Sequence, residues 1–243
     1  MTAGHAGHAG DAGDAGDAGD ACDRAYGSGR RSAMTDGNGA GGSDGGAGAG
    51  GEVPVDAGPA ARELARVAER VEDAALGRAT PCARYDVRDL LRHVLDGAAA
   101  FRDAAGKQHT AYTDAPPEVS TPLPDDWRAR LPRRLHELAA ALREPAAWRG
   151  ETRVAGIGMP AGEAALTGLD EIVVHGWDLA RATGQPYTGD ERALRALLPM
   201  LERTADPAGV PGLFGPAVSV PRGAPLLDRV LALTGRDPGW CAA

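Results

Sequence analysis

The chain has 243 residues and a mass of 24.8 kDa, a size that suits one domain or two small ones. Its 26 Lys and Arg against 34 Asp and Glu give a net charge of −8, which argues against a basic nucleic-acid binder. No apolar run approaches the ~18 residues of a membrane span, and the start lacks the basic and apolar regions of a secretory signal, so a cytoplasmic location without membrane association is expected.

Residues 1–52 hold 17 of the 35 glycines and no Leu, Ile or Phe. From Gly4 to Ala21 they repeat GHA and GDA triplets, whose glycine period matches collagen but which lack proline. Such a segment buries too little apolar surface to offset its ordering entropy, so it is expected to be a disordered Gly/Ala/Asp-rich tail. Residues 53–243 then form one domain of about 190 residues, with a core over about 59–205 and a C-terminal extension over about 206–243. The tail carries eight acids against three arginines, so little net charge is left for this domain. Cys22, Cys82 and Cys241 are odd in number and far apart, a pattern that indicates neither a disulfide framework nor a cysteine zinc site.

A first helix is predicted between Pro59 and about Arg78, where Leu64, Val67, Val71 and Leu76 lie near one face. The second starts near Asp86, stops near Gly106 and keeps Val87, Leu91, Val94, Ala98 and Phe101 on one stripe. A polar, proline-rich stretch from Thr113 to Pro124 follows. Asp125 and Asp126 then open a third helix carrying Trp127, Leu131, Leu135, Leu138 and Leu142, with Pro132 as a possible kink. The segment after Trp148 reads as a connection. A long fourth helix begins near Pro160 and runs to about Thr183, with Gly184 as its stop. A fifth, Asp190 to Ala205, is expected to be interrupted at Pro199. A short extended piece at Ala217 to Val220 precedes a last helix from about Pro225 to Thr234. The pattern is that of an all-α bundle.

On the fourth helix Glu171, His175, Asp178 and Ala182 fall on one stripe, and the i, i+4 spacing aims a carboxylate and an imidazole at one point. That donor mix suits zinc and other divalent metals. Gly168 and Ala182 flank the stripe and are expected to leave room for a ligand. Taken alone, the spacing points more to an ordinary solvated face than to a metal site, because Asp170 and Arg181 lie on the neighbouring sector and an i, i+4 pair without HExxH is common. On the second helix His93 sits beside the apolar stripe with Asp89 one turn before it, a position that suits either a third ligand or a shoulder histidine. His109 in a polar loop and His136 among arginines have weaker settings, and His5 and His8 lie in the tail.

The stretches TPCARYDVRDLLRHVLDG (80–97), DEIVVHGWDLARATGQP (170–186) and APLLDRVLALTGRDP (224–238) resemble the mycothiol-dependent maleylpyruvate isomerase-like metal-binding proteins of the DinB-like helical bundle superfamily. The similarity runs from about Pro59 to Trp240, and VHGWDLARATG is its most specific part. It implies an all-α, DinB-like four-helix bundle with a short C-terminal extension. It also implies a divalent metal, usually zinc, on His93, Glu171 and His175, and mycothiol as a possible co-substrate. The position before DVRDLL, often Trp in the family, is Tyr85 here. The family's isomerases carry a larger C-terminal domain, whereas about 40 residues follow the fifth helix in this chain.

Three protein ligands on a four-coordinate ion leave a position open, and a thiol entering there is deprotonated to a nucleophile. Asp178 and Asp89 are the candidates for orienting the imidazoles, and Arg181 is the candidate for binding an acidic group of thiol or substrate. Trp177 and Cys82 read as structural. The expected protein is thus a metal- and thiol-dependent transferase or isomerase-like enzyme acting on a small electrophile, as a monomer or homodimer. The alternatives are a non-catalytic metal-binding or stress-related bundle and a metal-free interaction module.

Overall fold

The computed structural model describes residues 55–115, 122–209 and 214–242. The expected tail over 1–52, with His5 and His8, lies outside the described residues, as does part of the proline-rich stretch before Pro124.

Four helices make the bundle: α1 (Gly58–Glu69), α2 (Val87–Ala105), α4 (Trp127–Ala141) and α5 (Ala161–Ala182). Both α1 and α2 pack against both α4 and α5. A single turn, α3 (Ala111–Asp114), lies between α2 and α4, while α6 (Glu191–Thr204) packs on α5 and α7 (Leu226–Leu233) packs on α6. The core is leucine-rich: Leu64, Leu90, Leu131, Leu169, Leu179 and Leu197 are all fully buried. No helix among the described residues is long and apolar enough to cross a membrane.

Helix limits follow local chemistry. The Asp86 carboxylate accepts the Asp89 N–H at 2.8 Å to start α2, and Asp190 accepts the Ala193 N–H at 2.9 Å to start α6, both satisfying first-turn donors that lack helical partners. Helix α5 stops at Thr183, and Gly184 follows with a positive φ of 68°.

Several expectations need correction. The first helix ends at Glu69 rather than near Arg78 and gives way to a 3-10 turn over Asp73–Ala75. The Arg128 guanidinium binds the Val71 carbonyl at 2.7 Å and Asp73 at 2.8 Å, taking an acceptor that a longer helix would have used. Val71 and Leu76 remain buried, so the apolar signal was sound while its continuity was not. Their spacing of five is not helical.

The connection after Trp148 is an antiparallel hairpin, β1 (Glu151–Val154) and β2 (Ile157–Pro160), with Thr152 opposite Met159. Its two-residue turn puts Ala155 and Gly156 at φ of 51° and 81°, the geometry that matches strand twist in tight hairpins. The Thr152 hydroxyl donates to the Ala104 carbonyl at 2.6 Å, so the hairpin closes the C-terminal end of α2.

Pro199 does not interrupt α6, because buried Leu194, Leu197, Met200 and Leu201 hold the helix to its neighbours on both sides of the proline. At Ala217 to Val220 no strand forms; Val218 donates one backbone bond to Ala232 at 2.9 Å.

Replacing a fully buried core side chain, Leu169→Ala, should cost about 2–5 kcal/mol, seen as a lower urea midpoint with an unchanged slope. Ile157→Ser, at the 38% exposed hairpin position, should stay within ~0.5 kcal/mol of the parent.

Candidate metal centre

Helix α2 presents His93 and helix α5 presents Glu171 and His175, and the bundle brings these three to one point. One donor atom from each lies within 4.8 Å of the others. Both imidazoles aim Nε2 at the same oxygen, Glu171 Oε2, from 3.0 Å for His93 and 3.1 Å for His175. The two rings stand edge to face, with centroids 4.8 Å apart. The Tyr85 ring, tilted and with its centroid 5.2 Å from that of His93, packs against a histidine of the cluster.

The donor set fits a divalent ion. Bonds of 2.0–2.2 Å in a tetrahedron imply donor atoms about 3.3–3.6 Å apart, a few tenths of an ångström beyond the two histidine–carboxylate separations of 3.0 and 3.1 Å. Two neutral imidazoles and one carboxylate are a zinc-type combination.

Behind His175 runs a buried chain of charge. Its Nδ1 lies 2.9 Å from Asp178 Oδ2, and Asp178 is gripped by Arg236, which follows α7, at 3.1 and 3.4 Å. Arg236 also donates to the Thr234 carbonyl at 3.2 Å. Gly235, at φ 79°, is held so close to Gly215 that a Cβ would sit 2.6 Å from its Cα, so glycine is required beside Arg236.

Burial alone would push the His175 pKa down, but the Glu171 charge and the bonds from Asp178 and Glu171 outweigh it and raise the value to about 9. Burial pushes Glu171 up, and His175 and His93 together overcome it and leave its carboxyl well below the usual range. Asp178 is likewise lowered, with Arg236 and His175 outweighing desolvation.

Asp89 and Arg181 are not brought to the cluster. Asp89 is exposed in the first turn of α2, and its backbone is bonded by Asp86; among the described residues no hydrogen bond joins it to His93. Arg181 instead binds the Trp240 carbonyl through both Nε, at 2.9 Å, and a terminal nitrogen, pinning the C-terminal segment against α5. The space at Gly168 is filled by Phe101, which a Cβ there would meet at 2.9 Å, so it offers no room for a ligand. Ala182 is buried. His109 is exposed and bonded to Asp114, and His136 is exposed on α4.

Two residues of the site escape sequence reasoning. Arg236 sits in the LTGRDP segment, whose motif was visible but whose contact spans 58 positions. Asp170, which the solvated-face alternative would have left exposed, is buried; burial and the neighbouring Glu171 raise its pKa to about 7, and its Oδ1 has no hydrogen-bond partner.

Next to the cluster lies a cavity of about 200 Å³ whose wall includes Glu171, Phe101, Val154, Met159, Met200 and Phe214. It is framed by α2, α5, α6 and the hairpin that the sequence had not disclosed.

Metal-free protein should lose stability as pH rises. The raised pKa of His175 means that its contribution is complete below about 6.5 and disappears as pH climbs through about 9. In chelator-treated protein the melting temperature should therefore fall by several degrees between pH 6.5 and 9, and saturating zinc should remove the decline. Arg236→Met leaves the buried Asp178 carboxylate without its cation and should destabilise the chain by about 3–5 kcal/mol in urea titration.

Residues 57–180 match the family model of the mycothiol maleylpyruvate isomerase N-terminal domain. Two crystal structures of mycothiol-dependent maleylpyruvate isomerase share the fold. One is 22% identical, covers 77% of this chain and 89% of its own, and has a TM-score of 0.53. The other, a histidine-to-alanine mutant, is 21% identical, covers 74% and 86%, and has a TM-score of 0.51. Both alignments are longer than the family segment, so the likeness is not confined to residues 57–180. No curated protein matches the chain. With just over half its length matched by the family model and a mostly helical, DinB-like fold, the chain belongs to the mycothiol maleylpyruvate isomerase N-terminal domain family.

Proposed function

We propose that this protein is a divalent-metal-binding enzyme that uses mycothiol as a low-molecular-weight thiol co-substrate, in an isomerase-like or transferase reaction on a small electrophile. The observation that carries this reading is the convergence of His93, Glu171 and His175, from two helices and 78 residues apart, on one point beside a cavity. Membership of a family named for a mycothiol-dependent isomerase supports the choice of thiol.

In this reading His93, Glu171 and His175 hold the metal, and the His/His/Glu donor set favours zinc. A bound divalent cation supplies Lewis acidity, which lowers the pKa of a thiol brought against it. The protein's own residues do the rest. Asp178 accepts the Nδ1–H of His175 and so keeps Nε2 turned toward the site, and Arg236 fixes that carboxylate. Tyr85 limits rotation of the His93 ring by packing on it. Glu171 belongs both to the cluster and to the cavity wall, which puts the reactive end of a bound molecule next to the metal position. The residues from 53 onward act as one domain, because Arg236 joins the C-terminal segment to the centre. A reduced thiol co-substrate is consistent with work in the cytoplasm.

Elemental analysis of protein purified without chelators should find about one equivalent of divalent metal. His175→Ala should lower the affinity at least ~100-fold and Asp178→Asn by about 10–100-fold, measured by competition with a chromophoric chelator. Metal-loaded wild type should then show mycothiol-dependent turnover of a small electrophile, and His175→Ala should not. Wild type with no metal and no measurable affinity would overturn the metal reading; bound metal without turnover on any thiol and electrophile pair would overturn the enzymatic one.

A further inference from the structure

The cavity beside the metal centre has a wall whose chemistry narrows what it can hold. Its most buried lining residues are Phe101, Val154, Met200 and Phe214, all apolar. Two methionines, Met159 and Met200, give the wall adaptable thioethers that pack well on aromatic rings. The charged residues among the described lining, other than Glu171, are Glu163 and Arg203, and both are exposed at the rim.

Among its described lining residues, hydrogen-bond donors are scarce. The Thr167 hydroxyl is spent on the Glu163 carbonyl at 2.9 Å, and that of Thr204 on the Met200 carbonyl at 2.9 Å, each within its own helix. Arg203 is the one cation among the described lining residues, and it already donates to the Pro199 carbonyl at 2.8 Å. A ligand with two carboxylates would meet one guanidinium at the rim, with Glu163 as a like charge, and its second carboxylate would either compete with the thiol for the metal position or lie desolvated among Phe and Met side chains. Burying an unpaired charge is among the most costly changes a binding site can make.

We infer that the electrophile taken by this cavity has an apolar body lodged among Phe101, Met159, Met200 and Phe214 and at most one anionic group, held at the Arg203 rim; an aryl-substituted α,β-unsaturated ketone represents the class. This rests on reading the cavity as the substrate site of a thiol-using enzyme. The reaction is a redox-neutral addition. The thiol sulfur forms a bond to the β carbon, the C=C π bond breaks, and the α carbon takes up the proton that the thiol gave up.

The test separates ligand class from catalysis. The full chain, labelled with 13C at the methionine methyls, is titrated with 4-phenylbutan-2-one, a saturated and unreactive analogue, and separately with maleate as the dicarboxylate. The Met159 and Met200 resonances are assigned through the volume-conserving Met159→Leu and Met200→Leu. Both methyls should shift saturably with the ketone, and maleate should bind at least tenfold more weakly. Equal or tighter binding of maleate, or no shift of these methyls with the ketone, overturns the inference. Turnover is then measured with mycothiol and 4-phenylbut-3-en-2-one on metal-loaded protein. The expected titration without any thiol adduct would leave the ligand class standing and count against the thiol-dependent reading instead.

Discussion

The structure turns on a single carboxylate oxygen. Glu171 Oε2 sits between two imidazole nitrogens at 3.0 and 3.1 Å, from helices that share no sequence neighbourhood. Placing a carboxylate and two histidines together inside a leucine-rich bundle is costly unless each polar group is answered by another. The surroundings are arranged to answer them: Asp178 takes the free edge of His175, Arg236 takes Asp178, and Tyr85 covers His93. A divalent cation suits such a centre, because it meets the carboxylate and both nitrogens at once.

Holding the centre rigid recruits parts of the chain well outside the four bundle helices. The hairpin ties down the end of α2 through Thr152 and contributes Val154 and Met159 to the cavity. Tyr187 lies against Gly176, where a Cβ would come within 2.9 Å of its ring, and donates to the Val173 carbonyl at 3.0 Å, so the loop before α6 is fastened to the helix that carries Glu171 and His175. Arg181 and Arg236 do the same for the C-terminal segment. The extension after α6 is thus part of how the His93, Glu171 and His175 cluster is held, although it lies beyond the segment that the family model matches.

Much of the fold was legible because its signals are local. Asp86 and Gly106 bracket α2, and the 3.6-residue period runs unbroken through it, so its limits agreed with expectation. The first helix was overrun because the decisive contact, Arg128 on the Val71 carbonyl, comes from 57 residues away. The hairpin was missed because its strands are four residues long and its Ala155-Gly156 turn lacks the usual Asn-Gly or Asp-Gly signature. Pro199 misled in the opposite direction, since packing on both sides of it outweighs one lost hydrogen bond.

For the site, the i, i+4 relation of Glu171 and His175 is a property of the helix and was available from sequence, as was His93 beside the apolar stripe of the second helix, where family resemblance favoured a ligand over a shoulder histidine. The sequence by itself determined the helical periods, their caps and which side chains share a face, because these depend on neighbours three or four residues apart. Only the tertiary structure decided that His93 meets Glu171, that Arg181 anchors Trp240 rather than a substrate, that Phe101 fills the space at Gly168, that Asp170 is buried, and that Arg236 completes the chain behind His175. Those outcomes depend on how helices cross and how the chain's end packs back on them, contacts between residues dozens of positions apart for which local propensity carries no signal.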